Sequence, residues 1–376
     1  MTQLNEIITK VKQKYAPDKR VAIFNVQAEQ ISANSFTLSG ESNLTEAKAE
    51  LLDELKKHDY KVSDKIEVLP SKELNDKVYG VINLSVANIR SNSEHSAEMA
   101  TQALLGFPVR VYKKSHGWLF IQTPDKYISW TDADAVELMD KKTFDEWNNS
   151  QKVIYTAFYG LTYSKADESS QTVSDITKGG ILRLIEEKDG FCKVAYPDNR
   201  IAFIPSKYCQ KYDEWLNSID LNADNLIKTA KTFMGLPYLW GGTSTKGVDC
   251  SGFTKSVYYL NGVVLPRDAS QQVNAGDPVD TKDGFDKLMP GDLLFFGTKA
   301  SATTKEKATH VGMYIGNGEF IHSSGRVRIN SLDKTKENFS EYRFNTFLKA
   351  RRILTSLNKN DVVLLKDLLL STRVEK

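Results

Sequence analysis

The sequence predicts an α+β protein of about two to four domains over its 376 residues. Three observations carry that expectation. A segment of alternating apolar and polar residues recurs with an offset of 73, with Gly106, Val109 and Val111 answering to Gly179, Leu182 and Leu184. Before it, helical and strand periodicities mix over a short stretch. After it, a cysteine stands where a glycine-rich loop turns into a helix, and two histidines follow on a β-hairpin.

Residues 1–77 read as a small α/β unit. An amphipathic helix starts near Leu4, Val21 to Val26 form a compact strand, and Phe36 to Leu38 form another. Ala47, Leu51, Leu52 and Leu55 mark a helix over residues 45–58. No catalytic constellation is visible there. The repeat covers residues 78–145 and 146–212. Gly117-Trp118 answers to Gly190-Phe191, Pro124-Asp125 to Pro197-Asp198 and Trp130 to Phe203, which is the pattern of small, strongly bent barrels.

Residues 213–376 hold the chemistry. A helix is expected from Ala223 to Met234. A second begins at Cys250, capped by Asp249, with Phe253, Val257 and Leu260 on its buried face. A thiol at a helix N-terminus feels the positive end of the dipole, which favours the thiolate. Backbone N–H groups there can hold a developing oxyanion. His310 sits on a strand reaching Ile315, and Glu319 to His322 form the return strand. A two-residue Asn317-Gly318 loop would set the histidines on opposite faces. A three-residue loop pairs Ile315 with Glu319 and Gly312 with His322, so the histidines meet diagonally. That register is expected here. A zinc site of Cys250, His310 and His322 is the chemical rival, though no paired C-x-x-C knuckle supports it.

The run YLWGGTSTKGVDCSGF, the segment RDASQQ, PGDLLFF and THVGMYIGNGEFIHSSG together resemble the NlpC family of papain-like cysteine peptidases, over about residues 224–353. The resemblance implies a papain-like catalytic domain preceded by two SH3-like barrels and the N-terminal α/β unit. It implies Cys250 as nucleophile, His310 as general base and acid, and His322 as the residue orienting His310, with no metal or other cofactor. Tyr238 and Trp240 are expected to line the cleft. Asp249, Ser251 and Ser270 are expected to bond the γ-D-glutamyl carboxylate region, although Asp249 can serve equally as a helix cap.

The entry to the first barrel resembles γ-D-glutamyl-L-diamino-acid endopeptidases, in which an acid and a tyrosine grip the free amine of an N-terminal L-alanine. Glu98, with Glu94 as competitor, and Tyr127 match those positions. The implied partner is a murein stem peptide cut at its γ-D-glutamyl–diamino acid bond. Another papain-like amidase or acyltransferase, and a wall-peptide-binding protein, remain the alternatives. A net charge of +2 argues against strong nucleic-acid binding. No apolar run is long enough to span a membrane, and a monomer is expected. The first twenty residues lack the apolar core of a secretory signal, which fits a cytoplasmic protein; a chain whose leader had been removed, acting in the periplasm or envelope, would read alike. The tail, with Val362, Leu364, Leu365, Leu368 and Leu369, is expected to be a docked helix.

Overall fold

The computed structural model describes residues 2–368. At its N-terminal end, helices Thr2–Tyr15 and Thr45–Lys57 lie against a three-stranded sheet of Phe24–Ser32, Ser35–Ser42 and Lys61–Val68. The first two strands form a hairpin. The second helix is the crossover that makes the last pair parallel. Leu4, Val11, Phe24, Phe36, Leu38, Leu51 and Leu55 fill the space between, as their spacing predicts. The first strand begins three residues later than expected. Asp18 closes a turn there, its carbonyl accepting from the Val21 and Ala22 N–H groups.

Two seven-stranded sheets follow, and the repeat is visible in their backbones. The first has the order Val136–Met139, Tyr79–Ile82, Pro108–Ser115, Trp118–Gln122, Ile128–Asp132, Val86–Arg90, Met99–Leu104. The second, over residues 152–211, repeats that order strand for strand. Bulges recur at Val111/Lys113 and Leu184/Glu186. The turns His116-Gly117 and Asp189-Gly190 both have positive φ, as two-residue hairpin turns require. Both sheets are strongly bent but open, since their terminal strands do not pair with one another. Gly106 joins the two units: a Cβ there would stand 2.2 Å from the Ile181 carbonyl oxygen. Helix Lys141–Asn149 links them and runs across position 145. Cys192 and Cys209 are free thiols in the second unit.

In the C-terminal part, helix Cys250–Tyr259 packs on a six-stranded antiparallel sheet. Its order is Asp277–Val279, Phe347–Arg352, Leu293–Thr298, Lys307–Gly316, Glu319–Ser324, Arg326–Ser331. Phe253 and Val257 meet Leu293, Phe295, Val311, Met313 and Ile321 in one core. The opposite face of the helix is covered too. Tyr259 packs on Phe107 and its hydroxyl donates to the Gly179 carbonyl, while Lys255 pairs with Asp125 at 2.8 Å. A helix sandwiched between a sheet and both bent units is buried nearly all round, which is how its first residue is held fixed. Helix Ala223–Lys231 ends before Met234. The tail is helical only from Leu365, whose side chain docks against Leu104, Tyr259 and Val264; before it Val363–Leu364 pairs with Val263–Val264 as a short strand, where helix was expected. Leu369 lies outside the described residues. Among the described residues no helix is long and apolar enough to cross a membrane.

Candidate active site

Cys250 is the first residue of its helix, and the loop before it is tied down on every side. Asp249 caps the helix, accepting from Gly252 N–H at 2.7 Å, and its other oxygen accepts from Gly241 N–H at 3.0 Å. The helix start presses on the loop so closely that a Cβ at Gly252 would stand 1.9 Å from the Gly242 carbonyl oxygen. Glycine is therefore demanded two residues after the cysteine. The first bent unit supplies the rest. Gln102 Oε1 accepts from Thr243 N–H and Ser244 Oγ, and Ser323 Oγ of the histidine hairpin donates to the Val248 carbonyl.

Arg267, fully buried, forms the centre of this scaffold. It donates to both Asp249 oxygens, the shorter bond being 2.6 Å, and to Ser251 Oγ and Thr101 Oγ1, each at 2.9 Å. A buried ion pair survives only when its remaining hydrogen-bonding capacity is met, as it is here. Asp249 is thus spent on capping and on Arg267, which is the capping alternative of the sequence reading. Arg267 opens the RDASQQ segment, but nothing in that segment assigns it this buried role.

The two histidines meet by a different route from the expected one. The turn is the two-residue Asn317-Gly318, both at positive φ, closed by Gly316 opposite Glu319. A bulge between Tyr314 and Gly316 then restores the register, so that Met313 faces Ile321. The expected Ile315–Glu319 pair is absent. The outcome for chemistry is the same, because His310 Nε2 lies 2.7 Å from His322 Nδ1 with both rings buried. His322 Nε2 lies 2.9 Å from Asn330 Oδ1, and Asn330 Nδ2 donates to the Asn338 carbonyl at 3.0 Å. That last bond turns the Asn330 oxygen toward His322. His322 Nε2 therefore carries the proton, its Nδ1 accepts from His310 Nε2–H, and His310 Nδ1 is left with a free lone pair. Asn330 was not visible as a site residue in the sequence. Both His322 nitrogens are committed, so Cys250, His310 and His322 cannot offer three lone pairs to one zinc ion.

Electrostatics correct a further expectation. Burial pushes the Cys250 thiol up to about 11, with the Asp249 charge adding to it, against the N–H groups of Val311 and Ser251 and the Arg267 charge. Burial likewise holds His310 well below the usual imidazole range, with Arg343 adding to it, and lowers His322 to about 4. Both shifts favour the neutral thiol and the neutral imidazole over a dipole-stabilised thiolate. The thiol contact with Val311 N–H puts the sulfur next to the His310 backbone.

The remaining predicted residues divide between two neighbouring groups. Trp240, exposed, donates its indole N–H to Glu98 Oε1 at 2.7 Å, bridging the first bent unit and the cysteine loop. Glu94 lies in an exposed turn and makes no side-chain bond to the catalytic domain among the described residues. Tyr127 is buried; burial and then the Asp268 carboxylate raise its phenol. Tyr238 is half-buried, its phenol raised by burial and then by Cys250. Ser251 accepts from Arg267. Ser270 accepts from Arg20 Nη1 at 2.9 Å, and the same nitrogen bonds Asp268 at 2.7 Å.

Arg20 belongs to the N-terminal unit, in which the sequence showed nothing of the site. Its guanidinium is held by Asp18, and Asp18 also accepts from Gln271 Nε2. Its backbone carbonyl accepts from Ile128 N–H, beside a cluster of Ile23, Leu69, Tyr112 and Ile128. Ser251 and Ser270 thus each accept from an arginine; Ser251 Oγ also donates to Asp249 Oδ1 at 3.4 Å, whereas the Ser270 hydroxyl proton is left for another acceptor.

Residues 235–348 match the NlpC/P60 family, and residues 89–136 match the bacterial dipeptidyl-peptidase Sh3 domain. The chain is 33% identical over 234 residues to a γ-D-glutamyl-L-lysine dipeptidyl-peptidase of Bacillus cereus, covering 60% of this chain and 67% of that protein. It is 31% identical to a protein of the same name from Bacillus subtilis, covering 59% and 71%. It is also 27% identical to dipeptidyl-peptidase 6 of Lysinibacillus sphaericus, covering 68% and 92%. The crystal structure of an NlpC/P60 family protein from Bacillus cereus superposes with a TM-score of 0.62 at 27% identity, over 73% of this chain and 99% of that one. A helix-borne cysteine, a buried histidine pair and an SH3-like unit stitched to the cysteine loop are accounted for together: the chain belongs to the NlpC/P60 family of peptidases.

Proposed function

We propose that this peptidase hydrolyses the γ-D-glutamyl–diamino acid bond of cell-wall peptides that carry a free N-terminal L-alanine, through a thioester on Cys250. The observation that carries the reading is the Glu98–Trp240 bond, which holds a carboxylate from the first bent unit beside the loop that ends in the nucleophile. A fixed anion at one end of a cleft favours an ammonium group and disfavours its acylated form. The names of the Bacillus relatives, γ-D-glutamyl-L-lysine dipeptidyl-peptidases, support the same bond.

In this reading His310 Nδ1 takes the Cys250 proton as sulfur attacks the γ-carbonyl of D-glutamate. The Cys250 backbone N–H, at the helix N-terminus, faces the developing oxyanion. Collapse breaks the C–N bond, and His310 returns its proton to the leaving amine. Water then attacks the thioester, again with His310 as base, and the thiol is restored. His322, held by Asn330, keeps His310 in the reactive tautomer. The Ser270 hydroxyl donates to the D-glutamate carboxylate, and Ser251, held by Arg267 and Asp249, fixes the helix start beside it. Tyr238 and Trp240 wall the cleft, and Glu98 with Tyr127 receives the alanine amine. A substrate with that amine free has already left the glycan, which points to recycled peptides. The reading is tested by mass spectrometry of L-Ala-γ-D-Glu-meso-diaminopimelate after incubation. Free diaminopimelate and L-Ala-γ-D-Glu should form with the parent enzyme and not with Cys250→Ala. Cleavage at any other bond, or none, would overturn it.

A further inference from the structure

Arg343 stands in the short helix Glu341–Thr346 with its guanidinium carbon 5.7 Å from the centre of the Phe296 ring. Phe296 pairs with His310 across the sheet, and their rings are 6.0 Å apart. Arg343 is therefore one aromatic ring removed from the general base. Its charge reaches Cys250, Tyr238, His310 and His322.

Arg343 lacks a counter-ion among the described residues. Three other arginines of the site and sheet are partnered: Arg267 by Asp249, Arg20 by Asp18 and Asp268, and Arg352 by Asp292. Arg343 is half-buried, yet no carboxylate lies within ion-pair distance of it among the described residues, and its guanidinium makes no hydrogen bond there. Its recorded partners are two aromatic rings, Phe296 and Tyr342. The neighbouring strand adds Arg328, exposed and also without an ion-pair partner among the described residues, so the field is cationic on this side. A desolvated cation without a partner is unfavourable in the free protein, and an incoming anion relieves it.

The mechanism says which part of the substrate arrives there. His310 must protonate the leaving amine, so the leaving residue lies on the His310 side of Cys250. Glu98 instead bonds Trp240 of the loop before the Cys250 helix, and Asp268 bonds Arg20 of the N-terminal unit. We propose that Arg343 binds a carboxylate of the residue whose amine is released, and so makes the enzyme selective for leaving amino acids that carry a free carboxylate. This rests on the proposed function and specifies its leaving-group side. The carboxylate can be the α-carboxylate, present in both lysine and diaminopimelate, or the side-chain carboxylate that diaminopimelate alone possesses.

The test is kinetic. kcat and KM are measured for L-Ala-γ-D-Glu-L-Lys, for L-Ala-γ-D-Glu-meso-diaminopimelate, for the α-amide of each, and for the diaminopimelate peptide with its side-chain carboxylate converted to the amide. The enzymes are the parent, Arg343→Gln, Arg343→Ala and Arg343→Lys. Loss of a charge-assisted bond should raise KM for the carboxylate peptides by about 10- to 100-fold in Arg343→Gln and Arg343→Ala. KM for the peptide lacking the relevant carboxylate should barely move, so the selectivity ratio collapses toward one, and Arg343→Lys should restore part of it. The amide that removes the ratio in the parent identifies which carboxylate is bound. The ratio is internal to each variant, so partial unfolding of a variant does not imitate the result. A parent that cuts the γ-D-glutamyl bond with the same ratio as Arg343→Gln overturns this inference alone. A parent that cuts none of the peptides overturns the proposed function and this inference with it.

Discussion

Asn330 holds His322 through a 2.9 Å contact between its Oδ1 and the imidazole Nε2, and the Asn338 carbonyl fixes which end of the Asn330 amide is presented. The proton positions of both histidines follow from that one amide. Asn330→Ala should lower kcat by about 100-fold with KM within about twofold, the loss expected when a general base keeps its place but not its tautomer. Asn330→Asp keeps an acceptor and adds a negative charge, so it should retain more activity and move the acid limb of the kcat/KM profile to higher pH. A normal profile in both variants would remove Asn330 from the relay.

Arg20 connects the N-terminal unit to the cleft through Asp268 and Ser270. Arg20→Ala should raise KM by about tenfold and leave kcat within about twofold, because one charge-assisted bond to Ser270, the proposed donor to the substrate carboxylate, is lost. The effect should be smaller on a peptide whose D-glutamate α-carboxylate is an amide. An unchanged KM would reduce the N-terminal unit to a packing element.

Helix Cys250–Tyr259 tolerates no side chain at its third residue. Gly252→Ala would drive a Cβ to within 1.9 Å of the Gly242 carbonyl oxygen. The loop or the helix start must move, so stability should fall by about 2 kcal/mol or more in urea unfolding. Turnover should fall further than stability, since the displaced residues carry Cys250.

Stability should decline on the acid side in a defined window. His322 has a folded value of about 4, lowered mainly by burial, against an ordinary 6.5. Between those values the unfolded chain binds the proton and the folded chain does not, so stability is lost as pH falls from about 6.5 toward 4. The full shift corresponds to roughly 3 kcal/mol. His310, lowered in the same direction, adds to it. Urea unfolding of the parent and of His322→Gln at pH 7, 6, 5 and 4 should show a shallower decline in the variant. Parallel curves would contradict the buried neutral imidazole.

Much of this site is legible in the chain because it is local. Cys250 with Asp249 before it, and His310 with His322 on one hairpin, are short-range patterns whose spacing fixes their geometry. The offset of 73 is equally plain, since both repeats need glycine and turn residues at the same points of the same bent sheet. The residues that escaped notice act across sequence distance. Arg20 meets Ser270 only because the N-terminal unit docks on the first bent unit, and the role of Arg267, though it opens the RDASQQ segment, appears only when Asp249 and Thr101 surround it. The hairpin shows a subtler limit. Both loop lengths were readable, but a bulge at Ile315 let the shorter turn yield the register assigned to the longer one. The helix dipole at Cys250 was visible in sequence as well, whereas the burial that opposes it exists only once the helix has packed on the sheet that carries Val311.

The central claim is that a carboxylate at the end of the cleft selects peptides with a free amino terminus. The most direct measurement is hydrolysis of L-Ala-γ-D-Glu-meso-diaminopimelate beside its N-acetylated form, by the parent enzyme and by Glu98→Gln. The parent should cut the free-amine peptide and leave the acetylated one intact, and Glu98→Gln should lose most of that preference. Equal cutting of both peptides by the parent would contradict the claim and take Glu98 and Tyr127 out of the site.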